Sequence, residues 1–371
     1  DYEQPVPAVI DMAYRDIAGS YRQRGSAIMP AAPHTARQLF WQQKAFADQF
    51  SRARAFLHLP QYWAWRLCAV AATEISSLGA QSHIWDTLGG RYAPIVERQG
   101  WQELLPPLRA AWEVLGTLLP DLAKQTGLSQ TTKILCGVHD STANVYRYQA
   151  AGLRNFAVVS TGTWIVALRD AATPEALDEA RGMTCNADVT GRPLAGALVM
   201  GGREFEAVAG NPADPAPASA SLVAALVERG TMAVPSFGPI DGIFPGCAGR
   251  GRIFGPAPED AAQRKALGVL YTALLTDACL DALGDTATVV LDGSFVADPL
   301  YAALVSALRP GQDVRVSSEA AGPAAGAALL AGHLFRPAPI DPALDAPPPL
   351  DIPGLAAYRA CWNERAMETT R

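Results

Sequence analysis

From Asn155 onward this 371-residue chain changes texture, and that change constrains its fold more than any other feature. Short apolar runs of strand length stand at Phe156–Ser160, Ile165–Leu168, Thr288–Leu291 and Val314–Val316. Helical runs lie between and after them, at Ala262–Leu283, Pro299–Leu308 and Ala320–Leu334. Strands alternating with long helices build a layered α/β domain, because each helix buries its apolar stripe against the sheet.

The earlier part reads as mostly helical. Val9, Ile10, Ala13, Ile17 and Tyr21 recur at helical spacing, and the pattern returns at Gln61–Ala72 and Trp101–Leu119, the latter interrupted by Pro106-Pro107. Thr132–Cys136 is a short strand candidate. A chain of this length is expected to form two domains, with the boundary near residue 153. The expected division is 1–153, 154–335 and a Pro-rich linker with a C-terminal helix at 336–371. Asn211–Ala220 and Pro337–Pro353 read as loops.

With 49% hydrophobic and 18% charged residues, the chain can bury large cores. A net charge of −6 without a Lys/Arg cluster argues against a nucleic-acid partner. No apolar run reaches the ~18 residues of a membrane span. The cysteines at 68, 136, 185, 247, 279 and 361 form no CxxC pair, and the five histidines are scattered, so the spacing offers no zinc site. Free thiols in the cytoplasm are expected.

Chemistry concentrates in a few stretches. Asp140, in Gly137-Val138-His139-Asp140, is a lone acid before small residues: either a helix cap or a base. Ser160-Thr161-Gly162-Thr163-Trp164 follows a strand and is either an ordinary turn or a holder of phosphoryl oxygens. Asp292-Gly293-Ser294 through Asp298-Pro299 is a strand-to-helix turn, either structural or in close approach to a nucleotide. The small residues from Glu319 to Leu330 suit close helix packing, on a sheet or on a flat ring. His83 and Asp86, three apart beside Trp85, would share a helix face as a surface pair or as part of a sugar site.

In this order the stretches resemble the FGGY family of carbohydrate kinases, of the actin/hexokinase/Hsp70-like ATPase superfamily. The resemblance runs from Gln38-Leu39-Phe40-Trp41 through the small-residue helix and includes Pro60-Gln61-Tyr62-Trp63. It implies a two-domain ribonuclease-H-like fold and ATP- and Mg²⁺-dependent phosphorylation of a sugar hydroxyl. Asp140 would be the catalytic base. Thr161, Gly162, Thr163, Gly201, Gly202, Gly293, Ser294 and Asp298 would hold ATP, and His83, Asp86, Trp164 and Asp140 the sugar. Trp164 is similar to the residue found in rhamnulose- and fuculose-type kinases, which points to a 6-deoxyketohexose. The sugar is the expected partner, and a homodimer is compatible with the resemblance.

The chain departs from the family in three places. An N-terminal D-x-G-T-T phosphate loop has no counterpart, so a start longer by roughly 90 residues is expected, about one sheet's worth of a domain. Ser294 replaces a usual Gly, and Asp298 a frequent Asn. These departures leave a non-catalytic sugar- or nucleotide-binding pseudokinase as the alternative.

Overall fold

The computed structural model describes residues 4–30, 33–210, 217–318, 322–335 and 340–368. Glu319 and parts of the two predicted loops lie outside the described residues.

The second half is organised by a seven-stranded mixed sheet. Its order is Leu344–Asp345, Asp313–Ser317, Thr288–Gly293, Phe156–Thr161, Ile165–Asp170, Pro193–Val199, Thr184–Ala187. Thr288–Gly293 runs parallel to both of its neighbours, whereas the pairings from Phe156–Thr161 through Thr184–Ala187 are antiparallel. A parallel neighbour needs a crossover. The helix Pro299–Leu308 supplies the one between Thr288–Gly293 and Asp313–Ser317.

Side chains on a strand alternate between faces, and the cores follow that alternation. Ala157, Val159, Val289 and Leu291 join the cluster built on the helix Ala261–Leu283. Phe156, Val158 and Val290 pack with Val145 and Tyr148 of the helix Asp140–Ala150. The sheet thus carries a helix on each face.

The helix Ala261–Leu283 corrects the expectation about membrane spans. Its 23 residues are long and apolar enough to cross a membrane, but 89% of its most apolar window is buried inside the protein. Its Asp277 receives Arg309 and Arg359, at 2.8 and 2.5 Å.

Residues before 130 pack a separate helical core that includes Tyr14, Leu39, Phe40, Ile84 and Trp101. The helix expected over Trp101–Leu119 is absent. A 3-10 turn at Gln102–Leu104 is followed by a strand, Val114–Thr117, paired with Lys133–Leu135. Pro106 and Pro107 explain the break, since a proline lacks the amide hydrogen and clashes with the preceding turn. The region read as a linker contributes the edge strand Leu344–Asp345. The helix Leu355–Glu368 then turns Leu355, Tyr358 and Trp362 into the main core. Trp362 Nε1 donates to the Ala233 carbonyl at 2.6 Å.

Candidate active site

Two parallel strands bring two turns together. Phe156–Thr161 and Thr288–Gly293 are in register, with Asp292 opposite Ser160 and Gly293 opposite Thr161. Both chains therefore turn at the same edge of the sheet, where open α/β sheets bind ligands. Thr161 ties the turns to each other. Its buried hydroxyl donates to the Asp292 carbonyl at 2.7 Å and accepts the Phe295 amide at 3.0 Å. That commits Thr161 to the scaffold and leaves the neighbouring half-buried Gly162 and exposed Thr163 at the turn's surface.

The start of the helix Gly201–Ala209 abuts the first turn. The Gly202 amide donates to the Thr163 carbonyl at 3.1 Å. A Cβ on Gly202 would sit 2.8 Å from the Gly162 oxygen, so only glycine allows this approach. Gly201 packs on Ile165, and Gly293 on the Thr161 backbone. A cavity of about 430 Å³ opens here, lined by Gly162, Thr163, Gly202, Arg203, Phe205, Glu206, Ser294 and Phe295. A second, of about 330 Å³, shares Phe205, Ser294 and Phe295 and extends to Lys265, Val269, Asp298 and Tyr301. Asp298 also caps the next helix, its Oδ1 accepting the Leu300 amide at 3.0 Å.

Asp140 lies toward the same edge. Arg147, two turns along its helix, reaches Asp292 at 3.5 Å and Ser317 at 3.0 Å. Asp140 is about 10 Å further along the axis at 1.5 Å per residue, beyond the ends of the strands. The N-cap is His139, so Asp140 is the first helical residue and not the cap. Its side chain is 76% exposed. The preceding loop is clamped from below. Gln61 Nε2 donates to the carbonyls of Cys136 and Gly137 at 3.3 and 3.4 Å, and the His139 amide donates to Ser76 Oγ at 3.1 Å.

His83 and Asp86 do not join this site. His83 is fully buried, in a loop with φ of 62° rather than on a helix. Its ring is held by Tyr14 at 2.7 Å and Ser26 at 2.8 Å and stacks on His34 at 3.7 Å. Asp86 is 5% exposed and accepts the Gly89 amide at 2.8 Å while facing Arg91. The small-residue helix Gly322–Leu329 resolves to close packing. A Cβ on Gly326 would collide with the Ala143 carbonyl of the Asp140 helix. Trp164 is half-buried directly after the Gly162-Thr163 turn.

Two residues escaped the reading of the sequence. Arg147 looked like any charge on a helix but bridges the Asp140 helix to two strands. Glu204, in Gly201-Gly202-Arg203-Glu204, is buried and accepts from Ser236, Phe237, Gly238 and Tyr271 at 2.5 to 3.0 Å, tying the 236–238 loop to the helix Gly201–Ala209. Burial and that carboxylate push the Tyr271 phenol well above its ordinary pKa.

The comparisons with known proteins match this geometry. Residues 14–146 match the N-terminal domain model of the FGGY family of carbohydrate kinases, and residues 153–339 match a C-terminal FGGY carbohydrate kinase domain model. A carbohydrate kinase structure from Novosphingobium aromaticivorans is 32% identical, with a TM-score of 0.86 over 99% of this chain and 80% of that one. L-fuculokinase of Haemophilus influenzae is 29% identical over 177 residues, 47% of this chain but only 36% of that protein's length. Plasmodium falciparum glycerol kinase, solved with ADP, shares the fold at 13% identity and a TM-score of 0.74, over 98% of this chain and 78% of that one. With both domain models matched in order on one sheet-edge site, the chain belongs to the FGGY family of carbohydrate kinases.

Proposed function

We propose that this chain transfers a phosphoryl group from ATP to a hydroxyl of a neutral ketose, of the L-fuculose or L-rhamnulose type. The observation that carries the reading is the exposed Asp140 carboxylate, at the start of a helix that Arg147 ties to Asp292, the residue leading into the Ser294 turn that lines both cavities. Asp140 accepts the proton as the sugar hydroxyl attacks. The backbone at Gly162 and the hydroxyl of Thr163 serve the phosphoryl oxygens. The residues present fit a nucleotide. The approach that only Gly202 permits opens the larger cavity for phosphates. Phe205, Val269, Phe295 and Tyr301 give the smaller one apolar walls for a base, with Asp298 as an acceptor at its rim. ATP would supply the phosphoryl group, with Mg²⁺ carried on its phosphates.

The sugar class is supported by the similarity to L-fuculokinase and by Trp164 next to the phosphate turn, where a ring face can pack on the deoxy side of a ketose. A cytoplasmic location is part of the same proposal.

An ADP-release assay of the full-length protein on L-fuculose, L-rhamnulose, D-xylulose, gluconate and glycerol tests it. The expected order puts a 6-deoxyketohexose first. An equal or higher kcat/KM on D-xylulose rejects the sugar class. Sugar binding without turnover on any acceptor replaces the kinase by the binding-only alternative. Asp140→Asn is expected to lower kcat by ~10²–10⁴-fold with sugar binding retained.

A further inference from the structure

We propose that His139 is a positioning residue for the Asp140 base. Its ring and Ser141 hold one carboxylate oxygen, Oδ1, and leave Oδ2 to meet the acceptor hydroxyl. The inference rests on the reading of Asp140 as the base.

The two oxygens of Asp140 are in unlike surroundings. Oδ1 accepts the Ser141 amide at 2.6 Å and the Ser141 hydroxyl at 3.3 Å, and lies 3.3 Å from His139 Nε2. Among the described residues Oδ2 has no hydrogen-bond partner. A carboxylate gripped on one oxygen cannot rotate freely about its last torsion, so the other oxygen keeps one direction. That is the preorganisation a general base needs.

His139 can do this because its backbone is itself fixed. Its amide donates to Ser76 Oγ at 3.1 Å, and that hydroxyl donates to Glu74 Oε2 at 2.6 Å. Glu74 is fully buried and also accepts the Ser76 and Ser77 amides at 2.9 and 3.0 Å. A chain of contacts therefore runs from a buried carboxylate through Ser76 to His139 and on to the base.

The ring chemistry agrees. His139 Nδ1 is buried without a partner. Nδ1 is unpartnered in either tautomer, so Nε2 decides: bare, it would oppose Oδ1 lone pair to lone pair, whereas hydrogen on Nε2 turns a donor toward Oδ1. The neutral form also suits the surroundings, for burial lowers the His139 pKa despite the facing Asp140. The neighbouring His58 ring is likewise buried and unpartnered, and is pushed down to about 4 by burial and by His139. No imidazolium then stands behind the base at neutral pH to hold it as a fixed ion pair.

The test compares His139→Phe with His139→Gln in the full-length protein and reads the tautomer by ¹⁵N-histidine NMR. His139→Phe is expected to lower kcat ~10–100-fold, the scale of a modest misplacement, with the KM for ATP unchanged. His139→Gln, which keeps a donor, is expected to recover most of that loss. The wild-type His139 ring is expected as neutral Nε2–H at pH 7. Ser76→Ala, which loosens the backbone clamp without touching the ring, should lower kcat in the same direction. An active wild type with unimpaired His139→Phe, or a ring protonated on Nδ1, overturns this inference and leaves the kinase reading standing. A wild type inactive on every acceptor, or an Asp140→Asn variant with full turnover, overturns the kinase reading and this role with it.

Discussion

Replacing Arg147 with Met tests how far the site depends on one buried cation. Arg147 is 4% exposed. One guanidinium nitrogen lies 3.2 Å from Asn144 Oδ1 and 3.5 Å from Asp292 Oδ2, and another donates to Ser317 Oγ at 3.0 Å. Met fills much of the same volume but leaves the Asp292 carboxylate, whose side chain is 10% exposed, without its cation. Breaking one side of a buried ion pair costs ~3–5 kcal/mol, because the remaining charge stays desolvated. Two features pull toward the lower end: the 3.5 Å separation, and the Gly293 amide still donating to Asp292 Oδ1 at 2.6 Å. The expected loss is about 3 kcal/mol, a large share of the ~5–15 kcal/mol that holds a typical protein folded. Urea denaturation followed by both circular dichroism and tryptophan fluorescence measures it, with coincident transitions required before a two-state fit. The double variant Arg147→Met/Asp292→Asn removes the stranded charge and should recover at least 1 kcal/mol, as contacting pairs couple. A single-variant loss under about 1 kcal/mol, or a purely additive double variant, refutes the reasoning. Since Asp292 leads into Gly293 and Ser294, the KM for ATP should rise in the same variant.

Thr163→Val keeps the shape of the Gly162-Thr163 turn and removes a donor; if that turn holds phosphoryl oxygens, kcat is expected to fall more than the sugar KM rises, by steady-state kinetics on the preferred acceptor. A change confined to the sugar KM would make the turn a sugar wall. Acid should destabilise the protein through its stacked imidazoles. Burial lowers His34 from 6.5 to about 4 and pushes His83 down as well. Between those values the unfolded chain binds more protons than the native one, so stability falls as pH drops from about 6.5 toward 4. His34 alone accounts for about 3 kcal/mol at 1.36 kcal/mol per unit. Glu74, raised by burial, acts with the opposite sign. A His34→Gln variant should flatten the slope in urea titrations across this range, and an unchanged slope would count against the assignment. Gly326→Leu should separate two backbones in contact, lowering both Tm and kcat; a wild-type Tm would contradict the packing described.

The sequence by itself determined the layered α/β second half, because its central strands are apolar runs that need no distant partner to be recognised. Phe156–Thr161, Ile165–Asp170, Thr288–Gly293 and Asp313–Ser317 all formed where those runs stand. It also made the family readable, since the order of short motifs around Asp140, Gly162 and Gly293 survives without coordinates. Strands whose pairing is imposed by neighbours were not legible. Thr184–Ala187 and Pro193–Val199 are rich in small and polar residues of weak strand propensity, and they are strands because Ile165–Asp170 offers an edge to Pro193–Val199, which in turn offers one to Thr184–Ala187. The role of a polar side chain was decided only by the tertiary structure. His83 and Asp140 look equally reactive in a string of letters. Folding gives every polar atom of the His83 ring a buried partner, whereas it leaves the Asp140 side chain largely exposed, with one oxygen unpartnered among the described residues. Spacing along the chain cannot report that difference, because the partners of His83, Tyr14 and Ser26, come from 69 and 57 residues away.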